Sequence, residues 1–360
     1  MFSSVPRRLG LTKLAVLSDK ECIMTGRHTL KIVLLLLIAS MSVLGSAGCG
    51  SAAKKPPEQL LPPEPPRTPP RQNVSIDPQL QAESRQEILS AAQSTNPTIR
   101  AHAIEAMRDT IGGDAAGPIL AGLNDETSLV RYAACLATGE LRLKQAKSTL
   151  IVLSDDADPS VRIGAKFALH RIGDTRQSHD FEITAKDPSP KMRGDTAMVL
   201  GLLGEPSASR ILVPMLVDRS SAVRLQAAES LWLLGNRSGL KTLIGASISR
   251  YPDDRMIAFL ALAGPRDREA LGDIEGGLTG EYEEVCLVAA RAAGMLGSDN
   301  GYGVAIKGAK SNDARQRMLA ALALGAIGRS DAQPILAILL KDSDPDVRLS
   351  AANAILQLKS

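Results

Sequence analysis

The chain has 360 residues, of which 44% are hydrophobic but only 2% aromatic, so its core must be built from alanine, leucine, isoleucine and valine. Large globular cores take much of their buried area from aromatic side chains, whereas small aliphatic side chains suit closely packed helix pairs. The net charge of +3 comes from the N-terminal segment: 10 of the 42 lysines and arginines precede Asp77, but only 4 of the 39 acidic residues do. The remainder is slightly acidic, which excludes the basic surface that a nucleic-acid-binding protein needs.

The first 48 residues have the features of an export signal. Arg27, His28 and Lys31 precede an apolar run over residues 32–39, and small residues follow at 45–48. A basic region, a short apolar region and a small-residue region make up a secretory signal, and the run is shorter than the roughly 20 residues of a transmembrane helix. We therefore predict a targeting segment over residues 1–48, with Met24 as an alternative start.

Cys49 ends a stretch, Ser46-Ala47-Gly48-Cys49, that resembles a bacterial lipobox. The resemblance implies that Cys49 carries lipid, although Ser46 stands where an aliphatic residue is usual. Three routes stay open: lipidation of Cys49, ordinary signal-peptidase cleavage that leaves a free cysteine, and an uncleaved anchor. We predict an exported protein of the bacterial cell envelope that is lipid-anchored or periplasmic.

Residues 49–76 predict a disordered, proline-rich spacer. Pro-Pro occurs four times between Lys54 and Arg71. Because proline fixes φ and favours extended polyproline II, such a segment can hold a domain clear of a bilayer.

The rest of the sequence repeats every 31 residues. One position, called the ladder position below, is Cys286 in one copy and arginine in eight others: Arg100, Arg131, Arg162, Arg193, Arg224, Arg255, Arg317 and Arg348. Aspartate recurs six residues before it, at Asp125, Asp156, Asp187, Asp218 and Asp342. Alanine recurs three residues after it. A fixed period of this length is typical of a solenoid.

Each repeat predicts two helices. In residues 156–174, Asp158 and Pro159 open the first helix, apolar residues recur at helical spacing, and Gly173 ends it. A second apolar segment, clearest at residues 332–340, predicts the second helix. Two short helices cannot enclose a core alone, so neighbouring repeats must stack. We predict an all-α solenoid of about eight to nine repeats over residues 77–360, with a capping helix between Asp77 and Ser94.

The recurring pattern D-x-D-P-x-V-R-x-x-A-A-x-A-L-x-x-L-G resembles the short HEAT-like repeat of the phycobilin lyase type. Its best copies are residues 156–174 and 342–358. The resemblance implies that the recurring arginines and aspartates form a structural ladder between adjacent repeats. We expect a non-catalytic scaffold that binds a protein or peptide partner, of unknown identity, on its concave face.

Motifs for catalysis, cofactors or metals are not found in the sequence. After the tail the histidines are His102, His170 and His179, and neither His-x3-His nor Cys-x2-Cys occurs. Cys135 and Cys286 are interpreted as small buried hydrophobic residues. A lyase-like activity, another cryptic enzyme subunit and binding to an envelope polymer stay open as alternatives.

The least regular part of the array, residues 250–303, suggests where a partner binds. Tyr251 and Tyr282 stand one period apart, and Tyr302 follows in the sequence. The stretch also carries an acidic cluster, formed by Glu281, Glu283 and Glu284. Exposed tyrosines are favoured at protein interfaces, so these six residues are a candidate partner patch; the alternative is that the repeat has decayed and the tyrosines pack locally.

Overall fold

The computed structural model describes residues 76–358, which form an all-α solenoid of eighteen α-helices without a β-strand. The helices are α1 (Pro78–Ala91), α2 (Pro97–Thr110), α3 (Ala116–Gly122), α4 (Ser128–Glu140), α5 (Lys147–Leu153), α6 (Pro159–Arg171), α7 (Asp180–Thr184), α8 (Pro190–Leu203), α9 (Ser209–Met215), α10 (Ser221–Leu233), α11 (Arg237–Ser247), α12 (Pro252–Ala263), α13 (Leu271–Glu275), α14 (Glu283–Met295), α15 (Tyr302–Gly308), α16 (Ala314–Ile327), α17 (Gln333–Leu339) and α18 (Pro345–Gln357). Even-numbered helices form an inner layer, and odd-numbered helices form an outer layer.

The predicted export signal, Cys49 and the spacer lie outside the described residues. Within residues 76–358, none of the helices is long and apolar enough to cross a membrane.

Polar caps and prolines set where the inner helices begin. Asn96, Asp158, Asp313 and Asp344 each accept a hydrogen bond from the backbone N–H two residues later, which satisfies a donor that the helix leaves unpaired. Proline is the first residue of five inner helices, where its missing N–H costs nothing. These beginnings lie along one edge of the solenoid, called the ladder edge; the inner helices end at the opposite edge.

The recurring alanine allows neighbouring inner helices to approach closely. All eight copies are completely buried: Ala103, Ala134, Ala165, Ala227, Ala258, Ala289, Ala320 and Ala351. A larger side chain at these positions would push the helices apart, since protein interiors are close-packed. The scarcity of aromatic residues follows from this packing.

Left-handed backbone geometry ends most of the inner helices. Gly173, Gly204, Gly235, Gly297 and Gly328 occupy one repeat position with positive φ, between 73° and 101°. The same position is arginine in two copies, Arg142 (φ 53°) and Arg266 (φ 58°). A side chain with a Cβ is strained in this region, by about 1 kcal/mol.

We expect the substitution Arg142→Gly to stabilise the protein by about 0.5–1 kcal/mol, because it relieves the strain of a positive φ. Urea unfolding followed by circular dichroism measures the change. The matched reverse substitution, Gly204→Ala, should destabilise the protein by a similar amount. If both substitutions changed the free energy of unfolding in the same direction, the explanation would be contradicted.

The two ends of the solenoid pack against each other, so the repeats close into a ring. The last helix, α18, contacts both α1 and α2. Arg348 Nε donates to Glu87 Oε1 at 2.9 Å, and His102 Nδ1 lies 3.0 Å from Asp346 Oδ1. Helix α1 takes the outer position between α18 and α2 that an odd-numbered helix takes at the other junctions. The first segment of the ring therefore supplies the outer helix of its last repeat.

Closure makes the concave face, where we expected a partner to bind, the inside of a ring. Each inner helix carries a buried residue five positions after the ladder position, whether apolar, as Phe167 and Leu260, or charged, as Glu105 and Arg291. Burial lowers the pKa of Arg291 to about 10, and Asp109 opposes this shift although two inner helices stand between α14 and α2. Because the ends of the array meet, its inner surface is the interior of a ring rather than a groove.

Removing residues 77–93 should open the ring, because α18 loses the helix that covers it. We expect backbone amides of α18 to exchange with deuterium at least tenfold faster, while those of α10 change little. A variant that lacks only residues 1–75 is the control. Unchanged protection of α18 would show that α1 does not hold the ends together, and Glu87→Ala provides a milder version of the same test.

Candidate functional site

Four of the eight ladder arginines link their repeat to the next. Arg100 Nε and Nη2 both bind the carboxylate of Asp125 at 2.8 Å. The same bidentate pairs, at 2.7–2.9 Å, join Arg131 to Asp156, Arg193 to Asp218 and Arg317 to Asp342. Each aspartate follows its arginine by 25 residues in the sequence. It also accepts a hydrogen bond from the backbone N–H of the residue two positions after it. In these four pairs, the aspartate six residues before one ladder arginine thus binds the arginine of the preceding repeat.

The arginine also binds its own repeat. Nη1 of Arg131 donates to the carbonyl of Asp125, six residues earlier, at 2.9 Å. Equivalent bonds are made by Arg100, Arg162, Arg193, Arg224, Arg317 and Arg348. Guanidinium groups bind carboxylates in the two-pronged geometry of the four pairs. Arg100, Arg131, Arg193 and Arg317 therefore each fix both the turn before their own helix and the neighbouring repeat. This arrangement is structural.

The ladder is interrupted in the middle of the array. Among residues 76–358, Arg224 and Arg255 have no carboxylate partner, because Ser249 and Gly280 occupy the aspartate position. Arg255 instead lies over the ring of Tyr282, with its Cζ 5.3 Å from the ring centroid. At Cys286 the Sγ lies 4.0 Å from the carbonyl oxygen of Gly280, six residues earlier. Ladder arginines bind the carbonyl at the same spacing in their own repeats.

Arg193→Gln should cost about 3 kcal/mol of stability, because it leaves the half-buried carboxylate of Asp218 unpaired. Arg224→Gln removes a ladder arginine that has no carboxylate, so its cost should be about 1 kcal/mol. Chemical denaturation of both variants measures the difference. Equal losses would mean that the backbone hydrogen bonds, rather than the ion pairs, provide the stability.

Tyr251 and Tyr282 lie on the ladder edge, as the residues just before α12 and α14. Their exposed fractions are 53% and 45%. Arg250 lies against Tyr251, with its Cζ 4.7 Å from the ring centroid, and Arg255 of α12 reaches Tyr282 of the next repeat. The two tyrosines therefore belong to one surface that crosses two repeats.

The other members of the predicted patch are arranged differently. Tyr302 begins α15, on the opposite edge, where its ring packs against the core and against Arg329 at 4.2 Å. Burial raises its pKa to about 12. Tyr302 is thus separated from Tyr251 and Tyr282 by the length of α14.

The acidic cluster is partly neutralised. Glu283 binds Lys307 at 2.7 Å, and Glu284 binds Arg315 at 3.1 Å. The hydrogen bond from Lys307 lowers the pKa of Glu283. Glu281 is exposed beside Tyr282, so it remains as the carboxylate of the cluster nearest the tyrosine surface.

Two aliphatic residues extend the tyrosine surface, and sequence reasoning missed both. Val217 and Ile248 occupy one repeat position in the turns that precede α10 and α12, and they are 85% and 82% exposed. The same position is Asp155 and Lys186 in the two preceding repeats. An apolar residue at a turn position that is polar elsewhere could therefore have indicated this surface from the sequence. We call Val217, Ile248, Tyr251 and Tyr282 the apolar edge.

A serine and a lysine from neighbouring repeats meet at a buried carboxylate, although sequence spacing had suggested no such pairing. Ser160 Oγ donates to Asp195 Oδ2 at 2.5 Å, and Lys191 Nζ donates to the same oxygen at 2.9 Å and contacts Ser160. Burial raises the pKa of Asp195, and Lys191 opposes the shift. Because Lys191 is bound to Asp195, this cluster neutralises a buried charge rather than activating the serine.

Glu229 of α10 is a buried carboxyl group on the inner side of the ring. Only Gln226 binds it among the described residues, with Nε2 3.0 Å from Oε2. Burial raises the pKa of Glu229 to about 7. The folded protein therefore binds this proton more tightly than the unfolded chain, so the stability that protonated Glu229 provides is complete below pH 4.5 and is lost as pH rises through about 7.

Glu229→Gln should leave stability near that of the parent protein at pH 5 and raise it by about 3 kcal/mol at pH 9, because glutamine cannot ionise. Denaturation curves at both pH values measure this. The exposed substitution Glu281→Gln is the control and should show no such pH dependence. An equal effect of Glu229→Gln at both pH values would contradict a titrating buried group.

Both cysteines of the ring are buried and free. Burial raises the pKa of the Cys135 thiol and, less strongly, that of Cys286, so both thiols stay protonated and unreactive at neutral pH. Among residues 76–358 there is no cluster of three or more side chains suited to hold a metal ion.

Comparison with known proteins finds HEAT repeats in the second half of the chain. A sequence profile of HEAT repeats matches residues 180–263 and 276–357. No curated protein matches the sequence significantly.

Three solved structures show how the fold compares. The complex of CpcE and CpcF of phycocyanin lyase from Nostoc sp. PCC7120 is 22% identical, with 65% of this chain and 91% of that chain covered and a TM-score of 0.35. Human deoxyhypusine hydroxylase is 18% identical over 79% of this chain and 99% of that chain, at a TM-score of 0.34. Kap121p bound to Pho4p is 13% identical over 75% of this chain and 37% of that chain, at a TM-score of 0.35. Similarities at this level carry no argument about activity or partners.

Proposed function

We propose that this HEAT-like repeat protein is a non-catalytic scaffold of the bacterial cell envelope that binds a protein partner through the apolar edge. The supporting observation is the exposure of four large side chains on consecutive repeats along one edge, at 85%, 82%, 53% and 45% for Val217, Ile248, Tyr251 and Tyr282. Solvent-exposed apolar clusters with a polar rim mark interaction sites on soluble proteins. Closure of the ring directs binding to such edges and to the outer surface.

The partner would bury the tyrosines as anchors. Tyrosine contributes a large rigid area together with a hydroxyl group, and arginine is likewise enriched among the residues that dominate binding energy. Arg250 lies directly against Tyr251, and Glu281 adds a carboxylate next to Tyr282. We therefore propose an apolar centre with both charges at its rim.

Photocrosslinking in envelope fractions tests the partner site. A photoreactive amino acid placed at position 248, 251 or 282 should yield the same crosslinked product, whereas one at position 338 should not. Ile338 is a matched control because it is 71% exposed on α17, in a distant repeat. Combined Tyr251→Ala and Tyr282→Ala should weaken partner binding at least tenfold, and retention of the product in this variant would refute the site.

The proposed export and anchoring rest on Cys49 and the segment before it. Mass spectrometry of the mature N-terminus, from protein fractionated in a bacterial host, should find residue 49 first and acylated. An unmodified Cys49 at the N-terminus would indicate ordinary secretion. An intact Met1 or Met24 in the soluble fraction would overturn the envelope location and return the lyase-like alternative to consideration.

A further inference from the structure

The junction between α6 and α8 is open. These inner helices pack less closely than α4 with α6 or α8 with α10. The outer helix at this junction, α7, has five residues, whereas α5 and α9 have seven. A cavity of about 350 Å³ lies between the ends of the two inner helices. Its size falls in the range of small-ligand pockets.

The ladder breaks at the same junction, although both residues needed for it are present. Arg162 binds the carbonyls of Asp156 and Ala157 through Nη1, at 2.7 and 3.1 Å. Its Nε and Nη2, which hold a carboxylate in four other repeats, contact no carboxylate among residues 76–358, and Asp187 binds only the N–H of Ser189, at 2.7 Å. Arg162 and Asp187 both line the cavity, so the widened junction leaves a guanidinium and a carboxylate facing the same space.

Other loose junctions in the ring are filled. Between α10 and α12, the eleven-residue α11 contacts both helices, and Trp232 Nε1 donates to the carbonyl of Leu262 at 3.1 Å. Between α18 and α2, helix α1 fills the space. At α6 and α8 the short α7 leaves the cavity instead.

The charges around the cavity define what it can hold. Lys166 is paired with Asp180 at 2.6 Å, and Lys191 with Asp195 at 2.9 Å. Three charged lining groups form no ion pair within the part of the chain that the structure describes: the cation of Arg162 and the carboxylates of Asp158 and Asp187. Both aspartates use Oδ1 on backbone N–H groups, which leaves Oδ2 for another donor.

We propose that this cavity binds a lysine-like group, which carries one carboxylate, two cationic groups and an aliphatic stem. The carboxylate would bind Nε and Nη2 of Arg162, as the aspartate does elsewhere in the ladder. The ammonium groups would bind Asp158 and Asp187, and the stem would lie against Ile163 and Met192, which also line the cavity. This site is separate from the apolar edge, and it goes beyond the scaffold function.

Isothermal titration of the purified protein with L-lysine tests the proposal without any partner or membrane anchor. L-lysine should bind at a single site. Cadaverine lacks the carboxylate and L-norleucine lacks the side-chain cation, so each should bind at least tenfold more weakly, since one lost charge-assisted hydrogen bond costs about 1.4 kcal/mol or more. The tripeptide Gly-Gly-Lys keeps the carboxylate and the side-chain ammonium of lysine but has an amide in place of the α-ammonium. It should therefore bind at least tenfold more weakly than L-lysine, and equal binding would contradict a site for two cationic groups.

Arg162→Gln should weaken L-lysine binding at least tenfold and leave cadaverine binding unchanged. Arg224→Gln is the matched control, because Arg224 makes the same backbone contacts and also lacks a carboxylate, but its junction is filled. If Arg162→Gln does not fold, Asp187→Asn serves instead and should weaken both L-lysine and cadaverine. Failure of L-lysine to saturate the protein at about 10 mM, or equal effects of Arg162→Gln and Arg224→Gln, would overturn the proposal.

Discussion

The structure depends on the fact that a pair of short helices cannot bury its own apolar surface. Each inner helix is covered on both sides by its neighbours, and the buried alanine in eight of the repeats lets those neighbours approach closely. In an open array the two end repeats would each leave one side uncovered. Here the ends cover each other, because α1 provides the outer helix of the last repeat and Glu87 takes the place of the missing ladder aspartate for Arg348. Closure therefore completes the same packing that holds every internal junction.

The ladder adds register to that packing, and its interruptions show where the ring departs from regularity. Where Arg and Asp face each other at 2.7–2.9 Å, the inner helices pack closely. At two junctions where the inner helices pack loosely, something else takes up the space: α11 and Trp232 between α10 and α12, and helix α1 between α18 and α2. The junction at Arg162 has no such replacement, and its cavity leaves room for a ligand. The cavity thus lies at a junction that departs from the regular repeat, where Arg162 and Asp187 do not pair.

Much of the fold could be predicted from the sequence, because the period of 31 residues and its recurring Arg, Asp, Pro and Ala positions report local structure and neighbouring contacts. The all-α solenoid and its HEAT-like repeats are confirmed. Closure could not be predicted, since Glu87 and His102 make their contacts about 250 residues away in the chain, outside the repeat pattern. The missing pair between Arg162 and Asp187 could not be predicted either. Both residues match the repeat pattern, and they fail to meet because α6 and α8 pack loosely. Tyr302 looked close to Tyr282 in sequence, but the intervening α14 puts them on opposite edges.

Helix α1 runs against the direction of α18, so residue 78 lies at the edge opposite the apolar edge, and it is also the point where the preceding chain joins the ring. Any pulling force transmitted along that chain acts first on the helix that joins the two ends. A load applied there acts on the contact between α1 and α18 before it reaches the internal junctions. The helix that closes the ring is therefore also the first helix that follows the preceding chain.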